Sequence, residues 1–583
     1  MVALSTSLSS SSSSSTSSSS STILSVAAAA AAAAFVSATY MYIQNLKQLK
    51  EGDAVEGFPS PPNAHWLFGH LIQMNGGDKG FTHGHPDVYV DHADNRSGRG
   101  SFWFFTEPGV SLLLAKDVKL VLQSSSYRKD VSLVAVHTQK FLGPKALVSL
   151  MGKEWRLYRS AVHKSFTPAA IRNSQHIIYQ VGDLLADTLL KSDAVVGAGA
   201  GTDGASATLE ILPVMKMATI DVFGLAALDV DFKCCENLEL SPIANAFDFL
   251  TGEYTRRLRT PWDPFSFWYT APTPANREYQ RQQSLIRGFI TGQIQKAKDV
   301  IAKEEKEAST RSSSSTTTSD VLTNLVKASK AEAAIKGGEV SEEALGDVMM
   351  TLLFGGYDTT SITLTYALYL LAKHPKYERI CLQEIEAVLG MSTTTDDLDV
   401  NIGPDQLPFT RAVIMETLRL YPPAPVTSRN MEKDLTLSDP GIVLTKDQLV
   451  MLPIWCIQRS ELNYPHPTEM LPERWVRQRN NSNKTNGAHS GSNISEWEER
   501  PSDDESSSAV EPGNRDAFCV FSGTGARNCV GKVLAMQESV TLLAMLLRKC
   551  KFELIDPDYE VEPFTCAVVQ QPRDGLPMKI SKR

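Results

Sequence analysis

The cysteine at position 529 lies in a glycine-rich turn, and this turn constrains the fold more than any other feature of the sequence. The turn runs from Phe521 to Gly531, and the apolar run Lys532–Leu547 predicts a helix directly after it. Free backbone N–H groups and the positive end of a helix dipole favour a thiolate at Cys529. A thiolate is a strong ligand for iron. The glycines would let the backbone approach a flat macrocycle closely.

An arginine precedes this cysteine by two residues. Arg527 can form paired hydrogen bonds with a carboxylate of such a macrocycle. The alternative for a lone cysteine is a buried, inert thiol before a core helix. The rest of the chain must therefore decide between a ligand and a core residue.

At this loop the sequence resembles the cytochrome P450 family, the haem-thiolate monooxygenases, whose signature joins Phe, Gly, Arg, Cys and Gly. The resemblance implies that Cys529 ligates the iron of haem b and that Phe521, Arg527 and Gly531 contact the haem. One departure concerns the aromatic residue, which the family places seven residues before the cysteine. That position is Ser522 here, and Phe521 lies one residue further out, so we expect a one-residue bulge.

Basic and aromatic residues elsewhere match the sites at which the family holds the haem propionates. Trp155 and Arg159 are four residues apart and share one face of a predicted helix. The resemblance implies that both meet a propionate. It implies the same role for Arg429, which follows a pair of prolines.

The segment from Ser341 to Lys373 predicts a long, largely apolar helix and resembles the family's helix above the haem. The resemblance implies a widened turn at Gly356 and its neighbours, and proton management by Asp358 and Thr359. A hydroxyl beside a carboxylate can relay protons through water to bound O2. One fatty-acid-hydroxylating branch has a haem-esterifying glutamate where this chain has Gly355, which excludes an ester link through this position.

Three further residues match a structural cluster of the family. Glu416 and Arg419 form a helical i, i+3 pair, and Arg474 follows downstream in a Pro-Glu-Arg-Trp sequence. The resemblance implies a Glu–Arg–Arg cluster with a role in folding rather than in catalysis.

Composition suits a globular protein with a sizeable core, since 42% of the 583 residues are hydrophobic and 21% are charged. The expected fold class is mainly α with small β-sheets, the cytochrome P450 fold. A net charge of −9 argues against nucleic acid as a partner. The eight cysteines form no CxxC pair, which fits a reducing compartment.

The N-terminal region predicts a membrane attachment. Residues 1–22 form a Ser-rich head that we expect to be disordered, 23–43 an uncharged transmembrane anchor, and 44–62 a proline-rich hinge. Lys47 and Lys50 after the anchor predict a cytosolic catalytic domain on the endoplasmic reticulum membrane. A plastid transit peptide and a cleaved secretory signal remain the alternatives.

The remaining chain, 63–583, is expected to be one catalytic domain. Low-complexity stretches near 194–208, 308–319 and 477–514 predict solvated inserts. Short alternating segments within residues 551–583 predict a small terminal β unit.

The resemblance implies a monooxygenase that inserts one oxygen atom from O2 into a C–H bond of a small apolar substrate. The stretch 64–70 favours the branch with fatty-acid hydroxylases, and so a fatty acid or other lipid. Electrons would come from NADPH through a separate NADPH–cytochrome P450 reductase, with a small haem electron carrier as a second candidate. The alternatives are a haem-thiolate isomerase or dehydratase acting on hydroperoxides, and a non-enzymatic haem sensor.

Overall fold

The computed structural model describes residues 36–37, 39–44, 53–56, 58–61, 64–65, 70, 98–104, 107–124, 127–128, 132–166, 171, 174–191, 206–258, 270–308, 320–336, 340–390, 403–439, 441–479, 495–501, 511–523, 525–566 and 569–583. The predicted head 1–22 lies outside the described residues, as does most of the predicted anchor 23–43. The described anchor residues, 36–37 and 39–43, are helical, and the side chains of Val36, Tyr40, Met41 and Tyr42 are exposed.

Helices make up most of the described chain. In chain order they are α1 Ala115–Gln123, α2 Ser132–Leu142, α3 Gly152–Ser165, α4 Gln175–Lys191, α5 Ile211–Phe223, α6 Cys234–Asn237, α7 Pro242–Leu258, α8 Pro274–Ala308, α9 Val321–Lys336, α10 Glu342–Lys373, α11 Pro375–Leu389, α12 Pro408–Leu420, α13 Ile454–Gln458 and α14 Lys532–Lys549. A π-helical turn, Gly224–Leu228, extends α5, and short 3-10 helices span Pro472–Arg474 and Arg515–Ala517.

The strands form small sheets around the helices. They are β1 Arg99–Phe104, β2 Glu107–Leu112, β3 Tyr127–Arg128, β4 Ser206–Glu210, β5 Thr427–Met431, β6 Leu435–Thr436, β7 Val443–Leu444, β8 Leu449–Leu452, β9 Val476–Gln478, β10 Trp497–Glu499, β11 Cys550–Leu554, β12 Pro563–Cys566, β13 Val569–Pro572 and β14 Pro577–Lys582. A five-stranded sheet has the order β1-β2-β8-β5-β3, with β2 and β8 parallel and the other neighbours antiparallel. The expected class, mainly α with small β-sheets, is confirmed.

Helix α10 is the centre of the core. It begins at a cap, because the side chain of Ser341 accepts a hydrogen bond from the N–H of Ala344. Its 32 residues extend for about 48 Å at 1.5 Å per residue. Helices α5, α8, α12 and α14 pack against it, and most of its side chains are buried on all sides. The helix predicted over 341–373 is confirmed.

One helical segment in the described part of the chain is long and apolar enough to cross a membrane. This segment, Ile211–Leu228, has a mean hydropathy of 1.7, and 83% of it is buried inside the protein. Its burial against α10 and α4 identifies it as a core element.

Two of the predicted solvated inserts contain ordered strands. The last residues of 194–208 belong to β4, which pairs with β14. Within 477–514, β10 pairs with β9, and the buried hydroxyl of Ser495 donates a hydrogen bond to Glu384. A polar composition is compatible with this packing because the polar groups find buried partners. Residues 480–494 and 502–510, and the insert at 309–319, lie outside the described residues.

The C-terminal β unit predicted from the sequence is present as two separate pairings. Strand β11 pairs with β14 in the three-stranded sheet β11-β14-β4, and β12 pairs with β13. The hairpin of β12 and β13 also contacts the region before β5, where the N–H of Gln570 donates to the carbonyl of Pro423.

Candidate active site

The cysteine loop is closed by backbone hydrogen bonds. The N–H of Cys529 donates to the carbonyl of Phe521 at 2.9 Å, and the N–H of Asn528 donates to the carbonyl of Gly525 at 3.0 Å. Helix α14 begins at Lys532, three residues after the cysteine, as the sequence predicts. The loop therefore holds Cys529 just before a helix N-terminus.

The cysteine loop contains a stretch of left-handed backbone. Ser522 has φ of 59° and Gly523 has φ of 69°, and these are consecutive. The carbonyl of Phe521 still bonds Cys529 across the longer turn. This left-handed backbone is compatible with the bulge expected from the shifted aromatic residue, which stays a prediction. The ring of Phe521 is half-buried, with the ammonium of Lys532 5.6 Å from its centre.

Cys529 has an exposed side chain, whereas the other cysteines characterised in the described chain are buried: Cys234, Cys235, Cys381, Cys456, Cys519 and Cys550. An exposed thiol in a rigid turn is available to a ligand, and the interpretation as an inert core residue does not hold for it.

The sequence predicts a thiolate at Cys529, but the pKa of this thiol is raised, which favours the protonated form. Although the side chain of Cys529 is exposed on one side, the protein packed around it limits its contact with water and raises the pKa of the thiol above that of a free thiol. The N–H groups of Gly531 and Lys532 and the positive charge of Arg159 act in the opposite direction and lower the pKa. The helix terminus alone therefore does not produce a thiolate. A metal cation held by Cys529 would supply the missing charge, since metals deprotonate a coordinating thiol.

Helix α3 brings Trp155 and Arg159 to the cysteine loop. The guanidinium carbon of Arg527 lies 4.0 Å from the centre of the Trp155 ring, a cation–π contact. Arg527 also donates to the carbonyl of Leu150 at 2.8 Å, and Arg159 donates to the side-chain oxygen of Asn528 at 2.5 Å. Two arginines and an indole therefore converge beside Cys529.

Arg429 lies on β5 and is fully buried. Its guanidinium donates to the hydroxyl of Thr427 at 2.8 Å and to the carbonyl of Ser428 at 2.7 Å. Its positive charge is near Cys519, whose pKa burial nevertheless raises to about 12. The structure thus places Arg429 beside the chain that leads into the cysteine loop.

One of the two consecutive glycines of α10, Gly355, borders open space. A Cβ added to Gly355 would meet no atom within 4 Å, whereas one added to Gly356 would lie 3.1 Å from the ring of Phe223. The hydroxyl of Thr359 donates to the carbonyl of Gly355 at 2.5 Å. Helix α10 remains α-helical through these residues, so the widened turn implied by the resemblance is not observed here. The hydroxyl of Thr359 donates to the carbonyl of Gly355 while the backbone keeps its regular α-helical turn.

The side chain of Asp358 is buried inside the protein. Its Oδ1 lies 3.3 Å from the ammonium of Lys216 on α5, which also contacts Asp248 on α7 at 2.7 Å. Burial raises the pKa of Asp358 to about 6, against the opposing effect of Lys216. The sequence indicates neither Lys216 nor Asp248 as a neighbour of Asp358. The one available signal was a lysine within the apolar run Ile211–Leu228.

Glu416, Arg419 and Arg474 meet in one fully buried cluster. Arg419 binds both oxygens of Glu416, at 2.8 and 2.9 Å, and Arg474 lies 3.3 Å from Glu416. Both arginines also donate to backbone carbonyls between residues 458 and 469. The cluster therefore joins α12 to the segment that precedes β9.

These features fit the class of haem-thiolate proteins, in which a cysteine provides the axial ligand of an iron porphyrin. The exposed thiol of Cys529 offers the ligand, and the open position at Gly355 leaves room for a flat group. Gly355 lies on α10 and Cys529 precedes α14, and these two helices pack against each other. The residues present thus fit such a group.

Comparison with known proteins identifies the family. The cytochrome P450 family model matches residues 59–576, so the chain belongs to the cytochrome P450 family. It is 25% identical to cytochrome P450 4A14 of Rattus norvegicus over 551 residues, covering 94% of this chain and 93% of that protein. It is 24% identical to cytochrome P450 4F8 of Homo sapiens over 554 residues (93% and 92%), and 26% identical to cytochrome P450 4A11 of Homo sapiens over 562 residues (94% and 92%). The protein is therefore an oxidoreductase of the haem-thiolate monooxygenase type.

Proposed function

We propose that the protein inserts one oxygen atom from O2 into a C–H bond of a long apolar substrate, a fatty acid or another lipid. The observation that carries this proposal is the thiol of Cys529, exposed in a closed loop while the other characterised cysteines are buried. A bound haem supplies the oxygen chemistry, and a thiolate ligand favours O–O cleavage over reversible O2 storage.

The residues around the loop would hold haem b. Cys529 would ligate the iron, and Trp155, Arg159, Arg429 and Arg527 would bind the propionates through charge-assisted hydrogen bonds. Phe521, Gly531 and Gly356 would pack near the ring. The absence of a carboxylate at Gly355 leaves no ester link through this position.

Asp358 and Thr359 would deliver protons. Thr359 lies on the open side of α10 beside Gly355, and Asp358 lies on the buried side. A carboxyl whose pKa is raised by burial to about 6 can take up and release protons near neutral pH. This arrangement favours a monooxygenase over an isomerase of hydroperoxides, which needs no proton relay to O2.

The electron donor would be NADPH–cytochrome P450 reductase, with a small haem electron carrier as a second donor. The helices next to the cysteine loop carry exposed basic side chains: Lys116 and Lys119 on α1, Lys153 and Arg156 on α3, and Lys532 on α14. Two acidic side chains nearby, Glu154 and Asp516, are each engaged in an ion pair with a lysine. This local positive charge, in a chain of net charge −9, suits a partner with an acidic docking face.

An apolar substrate is supported by the residues next to Gly355. The ring of Phe354 packs against Phe141 at 5.7 Å and against Phe247 at 6.2 Å, which makes this end of the open space aromatic. Similarity to proteins of the cytochrome P450 4A and 4F types, together with the stretch 64–70, supports the fatty-acid hydroxylase branch. The exposed apolar side chains at 36–42 support an anchor in the endoplasmic reticulum membrane, with a plastid as the alternative location.

The experiment that tests the haem assignment is spectroscopic. The dithionite-reduced holoprotein with carbon monoxide should show the red-shifted Soret band of thiolate coordination, and Cys529→Ser should lose it. Cys519→Ser, in the same loop region but buried, should keep it. A Cys529→Ser protein that retains the band would overturn the assignment.

The experiment that tests the activity uses the reconstituted holoprotein with reductase and a lipid extract. Oxygenated products that require NADPH, reductase and O2 support the monooxygenase. Product formed from hydroperoxides without NADPH would indicate the isomerase, and haem binding without turnover of any lipid would indicate the sensor.

A further inference from the structure

Lys216 is a buried cation in the middle of an apolar helix. Its side chain is 11% exposed, and its ammonium joins three helices: it contacts Asp248 on α7, Asp358 on α10 and, at 5.3 Å, the ring of Tyr357. Taking a charge this far out of water is unfavourable unless it is paired. The Asp248–Lys216–Asp358 group, called the Lys216 triad below, has one positive and two negative members.

The Lys216 triad differs from the buried cluster at Glu416. Both oxygens of Glu416 accept hydrogen bonds from side chains. Asp358 instead meets Lys216 through Oδ1, and its buried Oδ2 has no hydrogen-bond partner among the described residues. An ion pair built for stability satisfies both oxygens, since an unmade bond in the interior is expensive. The unbonded Oδ2 is a position that can accept a proton.

The exposure of the Lys216 triad rises step by step from α10 towards the surface. The side chain of Asp358 is 3% exposed, that of Lys216 is 11% exposed and that of Asp248 is 30% exposed. The triad therefore links buried Asp358 towards solvent through α5 and α7, while Thr359 lies beside the open space at Gly355.

We propose that Lys216 and Asp248 are positioning residues for proton delivery: they fix Asp358 and set, through their opposite charges, how readily it holds a proton. This inference rests on the proposed monooxygenase function and adds the residues that control its proton donor. Lys216 acts by direct contact with Asp358, and Asp248 acts by its negative charge and by its ion pair with Lys216.

The charges of Lys216 and Asp248 shift the pKa of Asp358 in opposite directions. Burial raises the pKa of Asp358, the cation of Lys216 lowers it, and the anion of Asp248 raises it. Burial lowers the pKa of Lys216, but the two aspartates outweigh burial and raise it, so Lys216 stays charged. The neighbouring phenol of Tyr357 stays neutral because burial raises its pKa. Lys216 is therefore a fixed charge and Asp358 is the group that changes state.

The test compares two neutralising variants in the haem-loaded protein. Lys216→Met should raise the pKa of Asp358, and Asp248→Asn should lower it, each by about 1 unit or more. The first readout is the C=O stretch of the protonated carboxyl in infrared spectra recorded across pH, identified by its loss in Asp358→Asn. The second is the pH profile of product formed per O2 consumed, whose midpoint should move in the same two directions.

Matched control variants distinguish an effect of the Lys216 charge from an effect on folding. Lys216→Arg keeps the cation and should restore the wild-type midpoint, while Lys233→Met removes an exposed lysine paired with Glu236 and should leave it unchanged. If Lys216→Met does not fold, Asp248→Asn and Lys216→Arg still carry the test. Midpoints that move in the same direction, or that do not move, would overturn the proposal.

The infrared readout uses the resting protein and requires no turnover. Opposite shifts of the carboxyl midpoint without any oxygenated product would support the Lys216 triad and contradict the monooxygenase function. Product formation together with an unshifted carboxyl midpoint would support the monooxygenase function and contradict the proposed role of the Lys216 triad.

Discussion

The indole N–H of Trp475 donates a hydrogen bond to Oε2 of Glu416 at 2.9 Å, in a fully buried environment. The carboxylate is therefore held by an aromatic side chain as well as by Arg419 and Arg474. Because every oxygen is bonded, the negative charge is stabilised without access to water. The same carboxylate accepts the N–H of Leu471, which ties α12 to the chain entering the 3-10 helix Pro472–Arg474.

Removing the charge of Glu416 should destabilise the fold. Glu416→Gln leaves two buried arginines without a counter-charge, and breaking such a group lowers the free energy of unfolding by roughly 3–5 kcal/mol. The measurement is chemical unfolding of the haem-loaded protein. The control is Glu499→Gln, because Glu499 forms an exposed pair with Arg411 of the same helix and should change stability by less than about 1 kcal/mol. Equal effects of both variants would contradict the structural role.

A side chain at Gly525 should prevent the cysteine loop from packing. A Cβ there would lie 1.8 Å from the carbonyl oxygen of Leu122, which is backbone and cannot move aside cheaply. Gly525→Ala should therefore reduce haem retention strongly, measured as haem content per protein after gel filtration. Gly252→Ala, on α7 with no atom within 4 Å of its Cβ position, should retain haem and gain about 0.5–1 kcal/mol from helix propensity. Normal haem content in Gly525→Ala would show that the loop does not need this contact.

The left-handed backbone at Ser522 should make glycine preferable to serine. A non-glycine residue in this conformation costs roughly 1–2 kcal/mol, so Ser522→Gly should stabilise the protein by up to that amount. The measurement is the unfolding midpoint in denaturant. Ser124→Gly, at a residue with φ of −60°, should bring no gain. A destabilised Ser522→Gly would mean that the serine hydroxyl contributes more than the strain removes.

The sequence contains the local elements of the site but not the long-range contacts between them. Helix α10 follows from its apolar run and the capping Ser341, and the Glu416–Arg419 pair follows from its i, i+3 spacing. Lys216 and Asp358 are 142 residues apart, so nothing local indicates their contact. Such pairs depend on which helix faces meet, which a single sequence does not contain.

The pKa of Cys529 illustrates the same limit for electrostatics. The loop sequence correctly indicates N–H groups that stabilise a thiolate, and Gly531 and Lys532 provide them. The burial that outweighs them comes from the protein packed around the loop, and α1 and α3 contact the loop through Leu122 and Arg159. Desolvation depends on the whole packed structure, and its effect can reverse the direction that a motif suggests.

Thr359→Ala should uncouple O2 consumption from product formation. The hydroxyl of Thr359 is on the open side of α10, where it bonds the carbonyl of Gly355, and its loss removes one step of proton delivery. We expect product per O2 to fall towards the roughly hundredfold loss that removal of a general acid typically causes, while O2 consumption continues. Thr363→Ala is the matched control, because its hydroxyl donates to the carbonyl of Thr359 one turn further along and is buried. Coupling that stays at the wild-type level in Thr359→Ala would contradict the assigned relay, and an equal loss in Thr363→Ala would assign the effect to the helix rather than to the hydroxyl.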